Sequence, residues 1–361
     1  MVDAVPVTVE RFASVDSLRG LTVAAMLFVN NPADWQHVLP PFRHAEWDGW
    51  TPTDLIFPLF LLIVGVSISL SLTSRMEAGT RPAQLRNGIL MRALRLFLLG
   101  LALNVMAYLL LDLRDVRIMA VLQRIAICYA AVAFIAIYTR SAAQWTIAAC
   151  LLLGYWALLS LGGSLAVEVN LTDRIDAWVL GAHSYEYNVT TGRAHDPEGL
   201  LSTLGAIATT LLGVRAGDWL RHGDTRRLVV TGFGAMAIAA LWSMLLPFNK
   251  NLWTPSFALL TAGFGFLVVA LFHGLIDRKG WMPLGRSFGV NAIAMFAGSM
   301  VLAYVLIGLG LLKTMYEDWL ASWLAPLVGP SLASHAYALL VVLFFWVIAR
   351  RLDARGIHFR I

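Results

Sequence analysis

Apolar residues dominate this chain in runs of about twenty, each bounded by a short polar interruption, and the rhythm continues almost from end to end. A helix rises about 1.5 Å per residue, so such a run is long enough to cross a hydrocarbon core of about 30 Å. Ten spans follow, roughly at residues 15–29, 54–72, 88–111, 118–138, 145–161, 200–216, 228–246, 257–275, 288–312 and 333–348, the first of them short. The expected fold is therefore all-α, a polytopic transmembrane helical bundle forming a single domain over residues 1–361, with loops near 30–53, 162–199, 247–256 and 313–332. The stretch "KTMYEDWLASWLAPLVGP" carries tryptophans and leucines at helical spacing and is expected to lie along the membrane interface. No internal repeat, low-complexity tract or separate soluble domain interrupts the pattern.

Composition agrees: 59% hydrophobic residues, 14% charged residues and a mean hydropathy of +0.72 exclude a soluble globular protein. Charge adds orientation. With a cytoplasmic N-terminus, most of the 27 basic residues fall inside, including Arg11, Arg19, Arg75, Arg92, Arg95, Arg221, Arg286, Arg350 and Arg360. Only Arg43, Arg114, Arg117, Arg174, Arg193, Lys250 and Lys313 remain outside, with Arg124 within a span. That bias places both termini in the cytoplasm and assigns the net charge of +5 to topology, leaving no support for a nucleic-acid partner. The N-terminal "MVDAVPVTVERFASVDS" lacks the basic start of a signal peptide, so the first apolar run is expected to stay as an anchor. Cys128 and Cys150 both lie in apolar runs and are expected to be buried packing residues, with no disulfide or metal role.

Against this background the polar residues stand out. "FRHAEWDGWTPTDLIFP" gathers His44, Glu46, Asp48 and Asp54 at the start of the second span. Thr51, Pro52 and Asp54 suit the first turn of a helix, so Asp54 has a capping reading. It also has a catalytic one, as the acid that orients His44 for work as a base; Glu46 and Asp48 read as solvated loop charges. In "FVNNPADW", Asn30 and Asn31 either donate to a developing oxyanion or merely end a helix before proline. Asp16 and Arg19, three apart, pair with each other or meet a phosphate. Gln123 and Arg124 are embedded in aliphatic sequence, where an arginine costs about 2.5 kcal/mol or more unless it has a partner, here Asp16, Asp54 or an anionic ligand. Asn104 and Asn291 fit interhelical hydrogen bonding. In "HDPEGLLST", Asp196 and Glu198 have the pattern of a helix start and equally of a substrate site. Asn249, Lys250 and Trp253 in "NKNLWTP" suit a sugar, although Trp253 also fits an interface anchor.

The blocks "SVDSLRGLTVAAMLFVNN", "RHAEWDGWTPTDLIFPLFLLIVGVSISLS", "VLQRIAICY", "DPEGLLSTLGAIATTLLG", "FNKNLWTPSFALLT" and "GVNAIAM" together resemble the heparan-alpha-glucosaminide N-acetyltransferase family, in family order from Arg11 to about Phe296. The resemblance implies transfer of acetyl from cytosolic acetyl-CoA to the amine of a glucosamine unit across a membrane. It implies that His44 is the essential histidine, with Asn30 and Asp54 beside it as catalytic residues. It further implies that Arg19, Arg124 and Asn291 sit at family positions, assigned with Gln123 to the acetyl-CoA site, and that Glu198 does too, assigned with Asp196, Asn249, Lys250 and Trp253 to the acceptor. The chain lacks the long N-terminal luminal region and first membrane helix of the lysosomal members and has a longer Asn-to-His loop. It is similar in this to the short bacterial members, so the expected location is a bacterial inner membrane with the site facing outwards. The chemistry is consistent: a histidine of ordinary pKa, about 6.5, removes a proton from an amine near neutrality.

The expected partners are acetyl-CoA as co-substrate, glucosamine or a short amino-sugar acceptor, the lipid bilayer and, left open, a second copy in a homodimer; no metal is called for. An amino-sugar transporter is the alternative from another class, and transfer to a glycan hydroxyl a further one.

Overall fold

The computed structural model describes residues 12–359. The readings of the N-terminal segment up to Arg11, and of Arg360, fall outside the described residues. Helices occupy the stretches that the apolar rhythm marks. They are α1 (Ala13–Asn30), α2 (Pro52–Glu77), α3 (Pro82–Leu110), α4 (Val121–Tyr138), α5 (Ser141–Leu161), α6 (Leu171–Val179), α7 (Thr203–Arg221), α8 (Thr225–Trp242), α9 (Pro255–Arg278), the short α10 (Arg286–Val290), α11 (Ala292–Gly308), α12 (Leu311–Val328) and α13 (Pro330–Ala354). Proline opens α2, α3, α9 and α13, where its missing N–H is no loss and its fixed φ suits the first turn.

Among the described residues α2, α3, α4, α5, α9 and α13 are long and apolar enough to cross a membrane. A seventh crossing results if α11 and α12, bent by 95° at their junction, are counted as one span. α1, α7 and α8 lie where the sequence places spans but do not reach that standard. For α7 the reason is burial: it is enclosed by α2, α4, α5 and α9, so Thr209, Thr210 and Arg215 meet protein rather than lipid. Backbone contact makes this enclosure tight. A methyl group on Gly65 of α2 would overlap the Thr210 carbonyl of α7, and one on Gly213 would overlap that of Leu62.

Three expectations change. The loop after α5 is not irregular: it contains α6 and a hairpin of β1 (Glu186–Asn188) and β2 (Arg193–His195), paired antiparallel with Tyr187 opposite Ala194. Among the described residues the fold is thus helical with one small hairpin. Cys150 is exposed, because α5 turns that face out of the bundle, where an apolar side chain is suited to lipid; Cys128 is buried, and both thiols are free.

Candidate functional site

At the start of α2, Asp54 is fully buried and serves both of its sequence readings at once. Its Oδ2 accepts the N–H groups of Thr51 at 2.9 Å and Ala45 at 3.0 Å, closing the helix cap, while its Oδ1 lies 2.6 Å from His44 Nδ1. A carboxylate there favours the tautomer with its proton on Nδ1, which leaves Nε2 as the acceptor nitrogen. The His44 side chain is 45% exposed, so the ring remains accessible from outside the bundle. The loop is held from several sides: Thr51 Oγ1 donates to the Arg43 carbonyl at 2.7 Å, Gly49 N–H to that of Phe248 at 2.7 Å, and Trp47 Nε1 to that of Leu165 at 3.0 Å. Gly49 has φ +99°, which favours glycine. Glu46 and Asp48 are exposed, as expected of loop charges.

The turn before α9 brings a cation to this pair. Asn249 is fully buried and builds the turn: its N–H donates to Thr254 Oγ1 at 3.1 Å, its Oδ1 accepts from Leu252 N–H at 2.8 Å, and its Nδ2 donates to Asp48 Oδ1 at 3.2 Å. Lys250 Nζ then sits 3.1 Å from His44 Nδ1, 3.4 Å from Nε2 and 3.7 Å from Asp54 Oδ1. Burial pushes the Lys250 pKa below its ordinary value, against the pull of Glu198 and Asp54. Trp253 departs from the interface-anchor reading. It lies 1% exposed in the core with Nε1 on Thr209 Oγ1 at 3.1 Å and its ring 5.3 Å from the Arg124 guanidinium.

Asp196 and Glu198 are both bound to Arg117, which the sequence reading passed over. Arg117 Nη2 lies 2.5 Å from Asp196 Oδ1 and 2.6 Å from Glu198 Oε2, and Nε lies 3.1 Å from Asp196 Oδ2. Burial disfavours the charges of Arg117 and Glu198, but the two carboxylates raise the Arg117 pKa, and Arg117, Arg124 and Lys250 lower that of Glu198. Asp196 does not cap α7, which starts only at Thr203; its Oδ1 accepts the Glu198 N–H at 2.9 Å in a local turn. Arg124 pairs with neither Asp16 nor Asp54. Its Nη2 donates to the Gly199 carbonyl at 3.0 Å and to Ser202 Oγ, because the chain entering α7 wraps over it. Arg124 Nε and Nη1, and both polar atoms of the Gln123 side chain, are buried without a hydrogen-bond partner among the described residues.

The same end of the bundle contains a second buried pair, Asp173 with His195 at 2.8 Å, and the buried Asp176, whose Oδ1 accepts from Leu200 N–H at 2.8 Å. Burial pushes the Asp176 pKa up to about 7. The sequence signal for both acids was "NLTDRIDAWV", an asparagine cap followed by carboxylates three apart. Asn170 indeed caps α6 through Asp173 N–H at 2.9 Å.

A cavity of about 740 Å³ opens at the other end of the bundle, lined by Arg19, Ser67, Arg92, Arg95, Tyr129 and Phe359 among others. Arg19 donates to the Gly289 carbonyl and to Ser67 Oγ, each at 3.1 Å, and lies 3.4 Å from Asp16. Along α2 the cavity runs from Ser71 up to Phe60, six residues from Asp54 and so about 9 Å below it. Asn291 spends its amide on the chain after α13: Nδ2 donates to the Ile357 carbonyl at 3.2 Å and Oδ1 accepts from Phe359 N–H at 2.9 Å. Asn104 donates to the Arg117 carbonyl at 2.8 Å. Asn30 ends α1 on an exposed face and, among the described residues, makes no hydrogen bond to His44 or Asp54. The structure thus gathers His44, Asp54 and Lys250 at one end and places Arg19 in the cavity at the other. Gln123 and Arg124 lie beside the cavity wall residue Ile125 without lining it.

These features define a helical membrane protein with a histidine–carboxylate pair at one end of the bundle and an arginine-lined cavity entering from the other. The chain belongs to the heparan-alpha-glucosaminide N-acetyltransferase family, whose catalytic-region model matches residues 11–245. It is 30% identical to the heparan-alpha-glucosaminide N-acetyltransferase of Mus musculus, over 81% of this chain and 54% of the mouse protein, and 30% identical to that of Homo sapiens, over 81% of this chain and 53% of the human one. The chain spans about half the length of the curated relatives it matches.

Proposed function

We propose that this chain is a transmembrane acetyltransferase that moves acetyl from cytosolic acetyl-CoA to the amino group of glucosamine, or of a glucosamine-terminated saccharide, on the extracytoplasmic side. The observation that carries the reading is the His44–Asp54 pair at the start of α2, with a cavity lining the same helix from its opposite end up to Phe60. The positive-inside bias supports placing that cavity and both termini in the cytoplasm, with ten helices crossing the bilayer.

In this account acetyl-CoA enters the cavity with its phosphates near Arg19, Arg92 and Arg95, guanidiniums suited to phosphate oxygens. Its acyl end climbs along α2 to the pair. The acceptor amine attacks the thioester carbonyl, forming the C–N bond while its proton passes to His44 Nε2 and the carbonyl electrons move to oxygen. Asp54 holds the resulting imidazolium in place. Collapse breaks the C–S bond, and His44 returns the proton to the departing thiolate, giving CoA and the amide. Direct transfer is preferred to an acetyl-histidine, since the bundle offers an approach from each end. Asp196 and Glu198, both bound by Arg117, order the loop over the acceptor side and shape the pocket there.

The test is substitution of His44 with alanine in purified protein given acetyl-CoA and glucosamine. Loss of a factor of about 10² to 10⁴ in kcat is expected of a general base, whereas unchanged turnover would remove His44 from the mechanism.

A further inference from the structure

Acyl transfer requires a donor facing the oxygen of the tetrahedral intermediate, and Asn30 lies on an exposed face at the end of α1, with no hydrogen bond to the pair among the described residues. We propose that Lys250 is that donor, its ammonium hydrogen-bonding the acetyl carbonyl oxygen as negative charge gathers there. The inference rests on the acetyl-transfer reading and names a catalytic residue within it.

The geometry is specific. Lys250 Nζ stands 3.4 Å from His44 Nε2, the nitrogen that takes the amine proton. In the intermediate, the attacking nitrogen and the oxyanion are bonded to one carbon and are closer to each other than that. One group at Nε2 and one at Nζ can therefore reach both atoms at once. The ammonium is held loosely beside the pair, 3.7 Å from Asp54 Oδ1 in a long ion pair and 3.1 and 3.4 Å from the two His44 nitrogens, so an oxyanion arriving there offers it a closer acceptor. Burial opposes the charged lysine most, as does Arg124, while Glu198 and Asp54 favour it, and the Lys250 side chain is only 17% exposed, so little water competes for its hydrogens. The Asn249 turn fixes the backbone that carries it, tying it to Asp48 on the His44 loop. Proton and charge balance: the carbonyl electrons move onto oxygen against Nζ–H during attack and return when the C–S bond breaks, leaving Lys250 protonated throughout.

Wild-type protein, Lys250→Met and Lys250→Arg are compared with acetyl-CoA and with its dithioester analogue, in which C=S replaces the C=O that would receive the hydrogen bond. Lys250→Met is expected to lose about 100-fold in kcat with the KM values for both substrates little changed. Its discrimination between oxygen and sulfur donors falls by a similar factor, and Lys250→Arg recovers part of both. Full kcat with a raised glucosamine KM would make Lys250 an acceptor contact instead. A lower kcat with undiminished discrimination would make it structural; either result overturns the proposal. CoA-induced thermal stabilisation, expected to be equal in wild type and Lys250→Met, reports folding and donor binding independently of turnover. No transfer by the wild-type chain would overturn the acetyltransferase reading itself.

Discussion

At the residue scale, one carboxylate does two jobs. Asp54 completes the cap of α2 and orients His44, so Asp54→Asn should separate them: the amide retains one acceptor oxygen for the cap but cannot hold the imidazolium by charge. Turnover is expected to fall by about 10² or more, with stability reduced by about 1 kcal/mol, read as kcat against melting temperature. This pairing was visible in the sequence because both residues sit at a recognisable helix start, ten positions apart. Lys250 and Arg117 were not legible in the same way. Lys250 reaches His44 across 206 residues, and Arg117 reaches Asp196 across 79, distances that no local spacing encodes. Arg117→Met would leave Asp196 and Glu198 buried and unpaired, at a cost of about 3–5 kcal/mol, which thermal unfolding in detergent would register. Asp176 gives a pH signature. Its folded pKa, about 7, lies above the ordinary carboxyl value of 3.8, so the folded state keeps a proton that the unfolded chain releases. Its contribution is present below the unfolded value and is lost as pH rises to about 7. Asp176→Asn should accordingly raise the melting temperature more at pH 8 than at pH 4, and an equal change at both would contradict this.

At the element scale, helix positions were legible and surroundings were not. The apolar runs mark the helices because a membrane segment must satisfy its backbone internally. The same runs do not say which faces meet protein, so Cys150 could be read as buried although α5 turns it outwards. Conversely, α7 is polar for a span because its neighbours enclose it. The hairpin in "SYEYNVTTGRAH" escaped notice since its two strands have only three residues each. Close packing of α2 on α7 yields a direct prediction: Gly213→Ala places a methyl group against the Leu62 carbonyl and should destabilise the bundle by about 1–3 kcal/mol. Gly234, on α8 with open space around it, should accept alanine without loss in the same melting assay.

For the molecule as a whole, the proposed function has acetyl pass through the bundle rather than the donor cross the bilayer. Arginines at one end suit a phosphorylated donor, the histidine pair at the other suits an amine, and α2 connects them, with the cavity already covering the stretch from Ser71 to Phe60. The central claim is that acetyl crosses the bilayer within this bundle. It is tested most directly in sealed proteoliposomes of known orientation, with labelled acetyl-CoA supplied only on the Arg19 side and glucosamine only on the His44 side. Labelled N-acetylglucosamine accumulating on the His44 side, and absent with His44→Ala, is the expected result. Label that never reaches the sugar, or reaches it only when both substrates share one compartment, would contradict the account.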